Sequence, residues 1–256
     1  MIPHFLFKSS RAIRFARLAC LILPLVCGIA CGQTGSRSMT TQQTFTEPGA
    51  AALAEAAKAG DEIRIRKLVA DGANPNAQGA RGLPLLQWAM LNQSRRGFEA
   101  LLAAGADPTR GDAGGTTAVH LAAQADTPYW LETLLARGVS PDTPNTVTQA
   151  TPLMAALMAE RQDNADRLIK AGAKLDRTDR QGDTALHVAA QINDSGRVLQ
   201  LLEAGANPSL KNVQGVTFQR YLFMTKDSVL GSDVRRQREA VKTWLQQHGV
   251  ALEGAH

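Results

Sequence analysis

The chain has 256 residues, 44% of them hydrophobic and 20% charged, which is ample apolar material for a buried core. Its net charge of +5 is local: residues 1–31 carry Lys8, Arg11, Arg14 and Arg17 and no acid, leaving 24 basic against 23 acidic side chains beyond them. So little basic excess in the remainder argues against a nucleic-acid reader. All three cysteines, Cys20, Cys27 and Cys31, lie in that first stretch, so nothing after them can form a disulfide, a thiolate metal site or a cysteine nucleophile.

In chain order, the basic residues 1–17 are followed by an apolar run of 13, Leu18–Ala30. A bilayer span needs about 20 such residues, so the pattern is that of a secretory signal. Gly28-Ile29-Ala30-Cys31-Gly32 resembles a lipobox, with Gly28 where Leu is usual. That resemblance implies a lipoprotein-type signal segment over residues 1–31, cut before Cys31, which is lipidated and becomes the first residue of the mature protein. Gly32 rather than Asp after the cysteine implies an outer-membrane anchor facing the periplasm. Cleavage without lipid, giving a soluble periplasmic protein, is the alternative. A cysteine-free remainder suits an oxidising compartment. Residues 32–49, rich in Gly, Ser, Thr and Gln, are expected to be a flexible linker.

From residue 50 onward the chain repeats itself. Gly72, Gly105, Gly138, Gly172 and Gly205 are 33, 33, 34 and 33 residues apart. Each follows an apolar pair at one offset: Leu68-Val69, Leu101-Leu102, Leu134-Leu135, Leu168-Ile169 and Leu201-Leu202. The period predicts stacked helical hairpins, each ended by a left-handed glycine. Inner-helix starts read as Thr117-Ala118-Val119-His120, Thr151-Pro152-Leu153 and Thr184-Ala185-Leu186-His187, where Thr caps the helix and Pro fits its first turn. In the third unit, Thr127-Pro128 is expected to open the second helix. Six units follow: about 50–77, 78–110, 111–143, 144–176, 177–209 and 210–252. The first lacks the Thr-Pro start. The second, aligned on Leu83-Pro84, places Trp88 at an alanine position. The sixth holds about eleven extra residues near Thr225–Asp233 before a final helix at about 233–248.

These starts, at this spacing, resemble the ankyrin-repeat signature T-P-L-H-x-A-A over about 200 residues. The resemblance implies an all-α solenoid with β-turn fingers, covering residues 50–252. It also implies a protein-binding role, with no cofactor and no metal. In that family the signature histidine bridges finger backbone between units, so His120 and His187 are read as structural. No nucleophile elbow, zinc-binding helix or phosphate loop is present in the sequence.

The resemblance also says where a partner would lie. The position past the alanine pair faces the groove, and alignment places Met90, Gln124, Met158, Gln191 and Met224 there, with Leu91 and Ile192 one place on. Three Met out of five suits an adaptable protein-binding surface, although gap filling between helices is the competing reading. Finger charges Arg81, Arg110, Asp112, Arg177, Asp179, Arg180, Asp183 and Lys211 are candidates for a specificity rim. Trp88, Tyr129 and Trp130 are further candidate anchors.

In layout the chain resembles bacterial immunity proteins that neutralise phospholipase toxins of type VI secretion. This implies a stoichiometric inhibitor whose partner is encoded by a neighbouring gene, with membrane contact through the lipid alone. An accessory to an oxidative-stress enzyme such as catalase, and a structural envelope scaffold, are the alternatives.

Overall fold

An inner helix of seven residues is too short to persist alone in water, so such a helix must find its stability in neighbours. The computed structural model describes residues 40–253 and shows how it does so. Helices come in antiparallel pairs: α2 (Pro48–Ala59) with α3 (Glu62–Ala70), α4 (Leu85–Leu91) with α5 (Arg95–Ala103), and α6 (Ala118–Gln124) with α7 (Tyr129–Ala136). The series continues with α8 (Pro152–Met158) and α9 (Gln162–Lys170), α10 (Ala185–Gln191) and α11 (Ser195–Glu203), then α12 (Phe218–Leu222) and α13 (Ser232–Gln247). A short α1 (Thr41–Thr44) precedes them. Inner helices α2, α4, α6, α8, α10 and α12 stack in one row, and the outer helices back them. Among the described residues there is no strand, only the isolated bridge between Gln78 and Pro84.

Small residues set the spacing of the inner row. Ala89, Ala122, Ala123, Ala156, Ala189 and Ala190 are fully buried, and the core continues through Ile65, Leu101, Leu134, Leu168 and Leu201 of the outer helices. The repeated glycines close each pair: all five have φ between +80° and +98°. After α3, Ala73 N–H donates to Leu68 O at 2.9 Å and Gly72 N–H to Val69 O at 3.0 Å, the two bonds of a left-handed helix stop. Fingers are stitched to one another through backbone: Ala113 N–H to Arg81 O at 2.8 Å, Thr146 to Gly115 at 3.0 Å, Arg180 to Thr148 at 2.9 Å and Val213 to Gln181 at 2.9 Å.

Three expectations need correction. The linker expected over 32–49 is folded from residue 40 on. Thr40 caps α1, Glu47 caps α2 through Gly49 N–H and Ala50 N–H, and Pro48 takes the first helical position. Phe45 is 1% exposed and packs edge-on against Trp88 at 5.7 Å, so this polar-looking stretch closes the start of the array. The signal segment, Cys31 and residues 32–39 lie outside the described residues.

In the second unit the helix cap is Pro84, not Leu83. The register therefore shifts by one: Trp88 is not at an alanine position, and Met90 is. Met90 is 3% exposed and belongs to the core, while Leu91 takes the place assigned to it and is 56% exposed. In the third unit, α7 begins at Tyr129 after Pro128 at the cap position, one residue later than Thr127-Pro128 suggests.

The extra residues of the sixth unit form a short turn, Asp227–Val229, leading into α13. Arg238 of α13 is buried and holds this insertion, donating to Thr225 O at 2.6 Å and to the Asp227 carboxylate at 2.8 Å.

Candidate binding surface

Residues three apart on a helix share a face. The inner helices therefore present two parallel rows. Trp88, Leu121, Ala155, Val188 and Tyr221 form the first, which is buried or half-buried between helices. The second, at the helix ends, is Leu91, Gln124, Met158, Gln191 and Met224, and all five are exposed, with Met158 at 64% and Met224 at 69%. Ile192 is half-buried at the end of α10 and does not extend the strip. Gln191 is occupied as well: its amide donates to the Asp183 carboxylate at 2.7 Å. The free apolar positions in this row are thus Leu91, Met158 and Met224.

The charged finger residues divide by sign. Asp112 accepts from Gly114 N–H and Thr116 N–H, both at 2.9 Å, and Asp179 accepts from Gln181 N–H at 2.8 Å and Asp183 N–H at 3.0 Å. Asp183 is 8% exposed and accepts from Asn212 at 2.8 Å as well as from Gln191. Asp112 and Asp179 build the turns, because Asp and Asn reach amides two residues on, whereas Asp183 is buried and held by the side chains of Asn212 and Gln191. All three are engaged within the fingers, unlike the free rim expected of them. Asn145 and Asn212 do the same work in their own fingers. Arg81, Arg110, Arg177, Arg180 and Lys211 are all exposed and form no ion pair among the described residues. Val147 and Val213, missed in the sequence, add exposed apolar groups at the fingers.

A cleft of about 670 Å³ opens between the second and third units. Its lining includes Leu91, Arg95, Leu121, Gln124 and Trp130. It exists because the third unit breaks the repeat. In the second, fourth and fifth pairs a three-residue turn passes through a left-handed residue, Gln93, Glu160 or Asn193; here Ala125 is extended and the loop is one residue longer. Asn164 of α9 makes this possible by donating to the carbonyls of Ala122, Ala123 and Ala125 at 2.9–3.2 Å. Trp130 lies at the base, 1% exposed and edge-on to Phe98 at 5.1 Å, so it is core. Tyr129 is half-buried beside Arg95, whose guanidinium stacks on its ring at 4.3 Å, and its hydroxyl donates to Glu99.

The histidines are fixed inside the stack. His120 Nε2–H donates to Ala150 O at 2.9 Å, and Nδ1 accepts from the Thr117 hydroxyl at 2.8 Å. His187 repeats this with Val216 O at 3.1 Å and Thr184 at 2.9 Å. Both are at most 2% exposed, and burial holds the His120 pKa below its ordinary 6.5 against the raising effect of its Ala150 hydrogen bond. Gln87 and Gln219 make equivalent bridges to Thr116 O and Ala251 O. Among the described residues no group of three His, Cys, Asp or Glu is placed to hold a metal ion.

Residues 119–212 match the family profile described as ankyrin repeats, three copies. The chain is 37% identical over 142 residues to Protein PhlB of Serratia liquefaciens, a match covering 56% of this chain and 62% of PhlB. The chain thus spans less than two thirds of that relative. Among solved structures it is similar to the ankyrin repeat domain of Bcl-3, with TM-score 0.62, 25% identity, and coverage of 73% of this chain and 81% of that one. It is also similar to a chain in the complex of the predatory endopeptidase Bd0816 of Bdellovibrio bacteriovorus with immunity protein Bd3460: TM-score 0.58, 24% identity, 74% and 97% coverage. With helical pairs at this cadence, stitched fingers and these matches, the described residues form an all-α ankyrin-repeat solenoid, the architecture of a protein-binding module.

Proposed function

We propose that this chain is an immunity-type protein, a stoichiometric inhibitor that covers a toxin hydrolase with its inner-helix face. The observation that carries this reading is the exposed row Leu91, Met158 and Met224 along one border of the inner-helix face. Likeness to a chain of a solved enzyme–immunity protein complex, covering 97% of that chain, supports the same reading. The lipobox-like sequence at Cys31 supports export and anchoring in the outer membrane, with the repeat domain in the periplasm. A hydrolase of phospholipase type is the partner that the layout suggests.

The test is co-expression of the full chain with the hydrolase encoded beside its gene. A one-to-one complex, a silenced hydrolase and protected cells are expected. Free hydrolase activity in the presence of excess chain would overturn the reading.

A further inference from the structure

A partner on the inner-helix face meets two unlike borders. Along the fingers stand Arg81, Arg110, Arg177, Arg180 and Lys211, exposed and without a carboxylate partner among the described residues. The neighbouring acids Asp112, Asp179 and Asp183 are turned onto backbone amides and buried side chains. Some cations away from the fingers are paired, Arg161 with Asp126, Arg167 with Glu132, Arg197 with Asp166 and Arg238 with Asp227, whereas Arg64, Arg66 and Lys67 of outer helix α3 are exposed and in no ion pair among the described residues. Along the helix ends stand Leu91, Met158 and Met224. A seven-residue helix is about 10 Å long, so the two borders are separated by roughly the width of one polypeptide helix.

We infer that the segment seated on this face is acidic and amphipathic, with carboxylates along the finger border and apolar side chains along the helix-end border. This rests on the reading that the face binds protein, and it specifies the chemistry of what is bound. Unpaired surface guanidinium groups cost nothing in the free chain. On encounter they steer an acidic partner and reject a basic one. Nucleic acid would meet phosphate-binding charge here, but the opposite border offers thioether and aliphatic groups instead of exposed aromatic platforms for bases.

The probe is a labelled helical peptide of about 16 residues with Glu on one face and Leu on the other, beside a counterpart with Lys for Glu. The full chain is held in phosphatidylcholine nanodiscs, empty nanodiscs serve as the blank, and binding is read by fluorescence anisotropy. The Glu peptide is expected to bind at least about tenfold more tightly than the Lys peptide, with the advantage shrinking as salt screens it. The combined variant R81E/R177E/R180E should invert the preference. R64E/R66E/K67E, the same charge change on outer helix α3, should leave it intact. No binding of the Glu peptide, equal binding of both, or a preference that survives the finger reversal overturns the inference. So does finger-dependent binding of phosphatidylglycerol vesicles or duplex DNA without a preference between the peptides. None of these results touches complex formation with the co-encoded hydrolase, which decides the underlying reading separately.

Discussion

Three side-chain donors, Gln87, His120 and His187, each tie an inner helix to a backbone carbonyl of the next unit, and Gln219 ties the last inner helix to Ala251 O beyond the final helix. Met154 holds the corresponding place in α8, and its thioether has no proton to give. Met154→His should supply the missing bridge to Asp183 O and stabilise the chain by about 1 kcal/mol, read as a shift in urea midpoint. His120 adds a pH dependence. Its folded pKa lies below 6.5 because burial penalises the imidazolium, so the folded chain binds fewer protons than the unfolded one. Stability is therefore full above pH 6.5 and falls as acid approaches the lowered folded value. His120→Gln keeps a donor and removes the titration, so urea midpoints of the variant should change less between pH 7.5 and pH 5 than those of the parent. Both histidines were legible as structural because the signature repeats around them. Gln87 was not, because Leu83-Pro84 imitates a Thr-Pro start one residue early. The interval from Gly72 to Pro84, 12 residues as from Gly105 to Thr117, carried the right register.

Between elements, the tightest approach is α5 on α2. A Cβ on Gly97 would lie 1.8 Å from Ala57 O, inside the carbonyl itself. Gly97→Ala should therefore cost about 1–3 kcal/mol despite alanine's better helix propensity, as the helices are forced apart. Gly196 of α11 is the contrast, since a Cβ there meets the Gln237 side chain at 3.4 Å as its nearest neighbour. Gly196→Ala should be neutral or stabilising by up to about 1 kcal/mol. Thermal melts of the two variants side by side check the pair, and equal effects would contradict the packing account. The 33-residue cadence revealed the helical pairs, because each pair needs its own glycine stop. It could not reveal α1, whose four residues are anchored by Phe45 against Trp88 and not by any periodic pattern. Nor could it show the opened turn of the third unit, which depends on Asn164 reaching back from the next repeat.

At the scale of the whole molecule, repetition exposes the same position of successive inner helices side by side, and so a surface arises that no single hairpin has. Its existence was legible in the period; its composition was only partly so. Met158 and Met224 fell at the exposed place, whereas Met90 turned inward with the shifted register, and the finger acids went to their own backbone (Asp112, Asp179) or to neighbouring side chains (Asp183). What remains is an apolar border facing a cationic one. Substitutions at exposed members of this surface should leave stability within about 0.5 kcal/mol, since they remove no buried contact. The most direct measurement is isothermal titration of the hydrolase proposed above as partner into the full chain and into its Met158→Glu variant. One-to-one binding by the parent, weakened at least about tenfold in the variant at an unchanged melting temperature, is the predicted result. Undiminished binding by Met158→Glu, with binding lost instead on Glu203→Arg of outer helix α11, would contradict the account.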